Sequence, residues 1–174
     1  MQYIVEMALK PGHTDADWER WKVEMKPPEL LMSVPGMLSS QRFKGITEPL
    51  AYYAHYDLAS PDVLTSDGYK NVGGGVRVKK WSDHNIENWK RDIADGISWT
   101  PEVPEGYVLL VKKAARLDFP DEGLPFIRLT TVGMDKSTPY RGFAIVPASE
   151  TSRIARHSDI RVYRPVGPQL RKLA

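Results

Sequence analysis

No cysteine occurs among the 174 residues. That single absence excludes disulfides, zinc sites built on cysteine, thiolate haem ligation and cysteine nucleophiles. No run of about 18 apolar residues is present that could span a bilayer. Met1-Gln2-Tyr3-Ile4 leads straight into strand-like alternation, with no basic leader and apolar core ahead of it, so a cytoplasmic location without membrane attachment is expected. Excess charge is missing too. Lys and Arg number 24 against 22 Asp and Glu, a net charge of +2, which offers no general attraction to nucleic acid. The basic stretch at 153–172 (Arg153, Arg156, Arg161, Arg164, Arg171 and Lys172 against Asp159) reads as a solvated tail. Gly73-Gly74-Gly75 lacks the Gly-Lys-Ser/Thr of a phosphate loop and the third glycine of a dinucleotide fingerprint, and it follows no strand. It reads as a flexible loop or lid hinge. There is no Gly-x-Ser-x-Gly elbow and no His-Glu-x-x-His pair.

What is present is ordinary globular usage, 41% hydrophobic, 26% charged and 10% aromatic, enough for one domain or two small halves. Tyr3 to Leu9 alternates as a strand and stops at Pro11-Gly12. Thr14 then reads as an N-cap, with Asp15, Asp17 and Glu19 in the first turn and Trp18, Trp21 and Met25 on one helical face. Pro27-Pro28 interrupts that helix, and Glu29 to Met32 restarts a short turn before Pro35-Gly36. Met37 to Lys44 and Leu50 to Leu58 form a hairpin pair. Ser60-Pro61-Asp62 starts a second helix carrying Val63, Leu64 and Tyr69 as far as Val72. A glycine loop, a helical turn around Trp81 to His84 and a strand at Asn88 to Ala94 complete the order β-α-β-β-α-β.

Thr100-Pro-Glu-Val-Pro-Glu-Gly106 reads as a linker. Strands follow at Tyr107 to Ala114, Phe126 to Val132 and Tyr140 to Val146, then a short helix from Ser149 to Arg156 and a strand at Ile160 to Arg164. This is the same order with its first helix missing, because Arg116 to Leu124 carries Pro120 and Gly123 and is too broken to replace it. The expected fold class is therefore α+β: two ferredoxin-like halves, βαββαβ at 1–98 and a degenerate copy at 107–174, joined by a linker at 99–106. Each sheet leaves one face uncovered by helices, so the two bare faces have reason to pack as an α+β barrel, and a further homodimer is compatible with it.

Three stretches carry a family resemblance: Trp21-Lys-Val-Glu-Met-Lys-Pro-Pro-Glu-Leu-Leu31, Val34-Pro-Gly-Met-Leu-Ser-Ser-Gln-Arg-Phe43 and Tyr52-Tyr-Ala-His-Tyr-Asp-Leu-Ala-Ser-Pro-Asp62. They resemble the dimeric α+β barrel superfamily, and within it the EthD-like branch, whose pattern is a Trp, then a His followed by Pro-Glu-Leu, then Pro-Gly and an Arg-aromatic pair, then a Tyr-rich strand ending in Ser-Pro. Two positions depart from it. Lys26 stands where many relatives have the His, so no role of that His carries over, and His55 occupies a strand position that is usually apolar. The resemblance implies a superfamily of cofactor-free monooxygenases, polyketide cyclases, lactone isomerases and haem-degrading enzymes, and so leaves the reaction open.

Alternation puts Tyr53, His55 and Asp57 on one strand face. If that face is interior, it meets Ile4, Glu6 and Ala8, with Arg42 close by. Such a cavity could take a proton from carbon beside a carbonyl and hold the enolate, whereas a satisfied polar pair in the core is the plainer alternative. The leading expectation is a cofactor-independent lyase, isomerase or cyclase acting on a small aromatic or polyketide-like carbonyl compound. His55 would be the acid-base group, Glu6 or Tyr53 its orienting partner and Arg42 the holder of a carboxylate or enolate. Tyr69, Trp81 and Trp89 would line the pocket. His84 is a second acid-base candidate or, in a rival monooxygenase reading, a haem ligand; a non-enzymatic binding or stress-response barrel is the third reading. Two His-x-Asp pairs, His13-Thr-Asp15 and His55-Tyr-Asp57, with His84 or His157 as a third ligand, would suit an iron triad. Chance and helix capping explain them as well, and no metal is expected.

Overall fold

A computed structural model of the chain describes residues 1–25, 27–49, 51–72 and 84–172. Strand β1 spans Gln2–Leu9, followed by helices α1 (Asp15–Met25) and α2 (Pro27–Met32), strands β2 (Met37–Gly45) and β3 (Ala51–Leu58), helix α3 (Asp67–Val72) and strand β4 (Ile86–Asp95). The second half contains β5 (Tyr107–Ala114), β6 (Ile127–Met134), β7 (Tyr140–Pro147), a single-turn helix α4 (Thr151–Ile154), β8 (Ile160–Pro165) and a short β9 (Leu170–Arg171).

Local chemistry explains most of these boundaries. Thr14 caps α1 reciprocally: the Asp17 amide donates to Thr14 Oγ1 at 3.4 Å while the Thr14 amide donates to Asp17 Oδ2 at 2.8 Å, which satisfies donors a helix start otherwise leaves free. The helix expected from Ser60 to Val72 is two pieces. A 3-10 turn at Pro61–Thr65 ends at an extended Ser66, whose Oγ then accepts the Tyr69 amide at 3.2 Å and begins α3. No helix replaces the missing one between β5 and β6, as the broken 116–124 segment foretold. Phe119, Leu124 and Phe126 of that segment nevertheless pack on the outer face of the second half with Val108, Leu110, Ala144, Ile154 and Val162.

Every strand pairing is antiparallel. The first half runs in the order β4-β1-β3-β2 and the second β6-β7-β5-β8; β4 pairs with β6 and β2 with β8, so eight strands close into a barrel. Numbered within its own half, each sheet has the order 4-1-3-2. Period-two alternation then divides each strand between two environments. Ile4, Phe43, Tyr53, Leu109, Val111, Leu129, Phe143 and Tyr163 fill the barrel. Tyr3, Val5, Ala54, Tyr56 and Ile93 face outward under α2 and α3, and Leu9, Tyr52 and Ile86 meet Trp18 and Trp21 of α1.

Two segments expected to be loose are bound to the barrel. Thr100 and Val103, in the expected linker, are buried. Asp57 accepts the Thr100 hydroxyl at 2.7 Å and the Ser39 hydroxyl at 2.6 Å, and Gln41 exchanges hydrogen bonds with the backbone of Val103 at 2.8 and 2.9 Å. The expected solvated tail is corrected likewise: Leu170 and Arg171 pair with Ser40 and Ser39 as β9, the Arg171 guanidinium stacks on Trp99, and Lys172 donates to the Val34 carbonyl at 2.7 Å. No helix among the described residues is long and apolar enough to cross a membrane.

Candidate functional site

Inside the barrel, β1 and β3 bring Glu6 opposite Tyr53 and Ile4 opposite His55, so Tyr53, His55 and Glu6 do converge on the interior. The space between them is filled. His55 is 1% exposed, its Nε2 is 2.8 Å from the Tyr53 hydroxyl, and its ring packs edge-on to Phe143 and Phe43 with centroids 5.2 and 6.4 Å away. Burial, with a smaller push from Arg141, lowers its pKa to about 4 against the pull of Asp57 and Glu6, so near neutral pH it is an uncharged imidazole. Glu6 is engaged elsewhere. Arg141 of β7 pairs with both Glu6 and Asp92, Lys113 of β5 pairs with Glu6, and Ser137 donates to Asp92 through its hydroxyl at 2.6 Å and its amide at 2.8 Å. Burial disfavours ionised Glu6, but Arg141 and Lys113 outweigh it and hold the carboxyl below its usual range. This network ties β1 and β4 of one half to β5 and β7 of the other.

The open space lies on the opposite face of the same strands. A cleft of about 60 Å3 separates the outer face of β1, β3 and β4 from the helices, walled by Trp18, Trp21, Tyr52, Tyr56, Tyr69 and Trp89 with Tyr3, Arg42 and Leu31. It has room for several waters, so an organic ligand has to enter flat, ring against ring. Trp18 lies 4.1 Å from the Tyr52 ring and 4.7 Å from Trp21, centroid to centroid. The Tyr3 and Tyr69 hydroxyls share a hydrogen bond of 2.9 Å. Burial raises both phenol pKa values, so both stay protonated and able to donate. Arg42 brings the charge. Its Nη1 is buried with no hydrogen-bond partner, and burial lowers the guanidinium pKa while Tyr56, Glu29 and Glu19 pull it upward. A desolvated cation with an unused donor, among aromatic rings, is a receptor for an anionic oxygen.

The sequence matches no family model and no curated protein. Solved structures do share its shape. An anthrone oxidase-like protein superposes with a TM-score of 0.64 at 9% identity, covering 96% of this chain and 92% of the other. A provisionally assigned monooxygenase from Lactobacillus acidophilus gives 0.55 at 7% identity, covering 96% and 94%. A provisionally assigned chlorite dismutase gives 0.53 at 14% identity, covering 95% of each. The shared fold is a closed antiparallel α+β barrel.

Within this α+β barrel the expected site residues divide. Tyr53, His55 and Glu6 meet among buried interior side chains, and Tyr53 also borders the outer cleft. Arg42 is not among them: Phe43 stands opposite Tyr53 and Arg42 opposite Ala54, which turns Arg42 to the outer face. There it joins Tyr69 and Trp89, two of the expected pocket residues, in the wall of the cleft. Trp81 lies outside the described residues, as do Lys26 and Gly73-Gly74-Gly75. His84 is exposed, and no histidine among the described residues lines the cleft, so nothing described there offers a haem an imidazole. Nor do the described residues include three His, Asp or Glu grouped to hold a metal. Sequence reasoning missed Arg141, Asp92 and Lys113. The available signal was a lone arginine at an inward position of the otherwise uncharged segment Tyr140 to Val146.

Proposed function

We propose that the outer cleft is the active site of a small-molecule-processing enzyme that takes a flat aromatic or polyketide-like carbonyl compound and holds its enolate or phenolate oxygen against Arg42. The observation that carries this is the unpartnered Arg42 Nη1, buried among aromatic walls. In a site that excludes water a fixed cation stabilises developing negative charge far more than it would in bulk solvent. The Tyr3 and Tyr69 pair offers one further neutral donor at the same wall. No acid-base histidine lines the described part of the cleft, which favours substrates acidic enough to ionise by themselves. For these the enolate carbon can transfer an electron to dioxygen and form the new carbon-oxygen bond without a bound cofactor. The likeness in fold to an anthrone oxidase-like protein and a provisionally assigned monooxygenase supports oxygenation over the lyase, isomerase or cyclase alternative.

The finer structural reading belongs with it. The shared 4-1-3-2 strand order supports two ferredoxin-like halves, and the Trp21 to Leu31 and Val34 to Phe43 stretches support the EthD-like branch. The test of function is anthrone as substrate, followed by an oxygen electrode and by anthraquinone absorbance. One dioxygen consumed per anthraquinone formed, with the rate collapsing in Arg42→Gln, is the expected result. Conversion of carbonyl substrates with no oxygen uptake would move the assignment to the isomerase or cyclase class, and tight binding with no turnover to a binding barrel.

A further inference from the structure

Arg42 borders a second opening, of about 130 Å3, which shares Arg42 and Val166 with the cleft and is otherwise lined by Glu29, Ser40, Gly167, Pro168 and Leu170. Ser40 and Arg42 are two residues apart on β2 and stand on one face of it. β9 places Leu170 beside Ser40, and Val166 donates its amide to the Arg42 carbonyl at 2.9 Å, so the opening has fixed walls on both edges. The Ser40 side chain is 1% exposed and its hydroxyl interacts with the Tyr56 phenol opposite it on β3, while Arg42 Nη1, also buried, has no hydrogen-bond partner. A buried hydroxyl beside a phenol and a buried cation with an unused donor thus stand on neighbouring same-face positions, facing Val166, Gly167, Pro168 and Leu170 with the exposed carboxylate of Glu29 at the rim. Leaving a buried cationic donor unpaired is costly.

We propose that this opening is a carboxylate subsite, in which one oxygen of a ligand carboxylate accepts from the Ser40 hydroxyl and the other from Arg42. The guanidinium carries five N–H donors in a planar fork, so one edge can serve the subsite while another faces the ring in the cleft. Resting on the cleft reading above, this narrows the substrate class to flat aromatic carbonyl compounds bearing a free carboxylate beside the ring. A neutral hydroxyl could satisfy Ser40 but would leave the cation uncompensated. Glu29 opposes the bound anion by like charge and so tunes its affinity downward.

The probes are 2-naphthoate and its uncharged counterpart 2-naphthamide, titrated by quenching of tryptophan fluorescence. The wild-type protein should bind the acid on the order of tenfold tighter than the amide. Ser40→Ala should weaken the acid severalfold and leave the amide unchanged. Glu29→Gln, at an exposed position, should tighten the acid and again leave the amide unchanged. Equal binding of acid and amide, or an acid affinity indifferent to both substitutions, overturns the carboxylate subsite while leaving the aromatic cleft standing. Failure of both probes to bind overturns both readings.

Discussion

The Tyr53 hydroxyl and His55 Nε2 lie 2.8 Å apart on one face of β3, sealed inside the barrel. Both rings pack against the other half, Tyr53 on Tyr163 and His55 on Phe143. His55→Gln is expected to leave turnover near the wild-type rate and to lower stability at neutral pH by roughly 1 to 3 kcal/mol through disturbed polar contacts and ring packing. Thermal melting and steady-state rates on the one variant check this. A folded variant with turnover lowered 100-fold would return His55 to the mechanism.

The same residue sets a pH dependence. Unfolded, His55 takes up its proton near pH 6.5; folded, only near pH 4. Between those values the unfolded chain binds the extra proton, so this contribution is complete above pH 6.5 and lost as pH falls toward 4, by about 3 kcal/mol in all. Urea unfolding of wild type and His55→Gln across that range should show the stability gap between them closing, or reversing, on acidification. A gap that stays constant would contradict it.

Arg141 faces Glu6 and Asp92 at once. Replacing it with Met leaves buried Asp92 without a cation and Glu6 with Lys113 alone, and a loss of about 3 to 5 kcal/mol is expected. Adding Glu6→Gln and Asp92→Asn to Arg141→Met should restore much of that loss, since the uncompensated charges are what the single variant leaves behind. Denaturant midpoints of the single and triple variants decide it.

Arg42 should behave in the opposite way. Its buried Nη1 makes no hydrogen bond, so Arg42→Gln is expected to melt at or above the wild-type temperature while turnover on anthrone falls on the order of 10²-fold or more. Loss of stability with activity intact would show Arg42 to be a structural residue.

Gly142 tests how the second half is covered. A Cβ there would collide with Phe119 Cζ and come within 2.9 Å of Phe126 Cδ1. Gly142→Ala should therefore cost roughly 1 to 3 kcal/mol by overpacking, measurable as a lowered melting temperature. A neutral result would mean that the 116–126 segment yields without cost.

Much of the fold was legible in the chain because strand alternation, proline and glycine punctuation and capping residues are local signals. They marked the strands of both halves, the absence of a helix after β5, and Trp18 and Trp21 as a buried helical face. They also placed Tyr53 and His55 on one side of β3. What they could not carry was which side of the sheet is solid. Arg42 shares a parity with Ser40 and not with Phe43, but its relation to His55 depends on the β2–β3 register, which a bulge between Met37 and Ser39 shifts. Whether the interior holds a cavity depends on Phe143, Tyr163 and Arg141, roughly 85 to 160 residues away from Glu6 and His55 along the chain. Their volumes fill the barrel, and Arg141 neutralises the acids that looked catalytic. The gap is left instead where α1 and α3 bridge the outer face without filling it. Short-range pattern determined the elements and the faces of this protein; long-range packing, which depends on the summed volume and charge of residues from both halves, decided which face became core and which kept an open site.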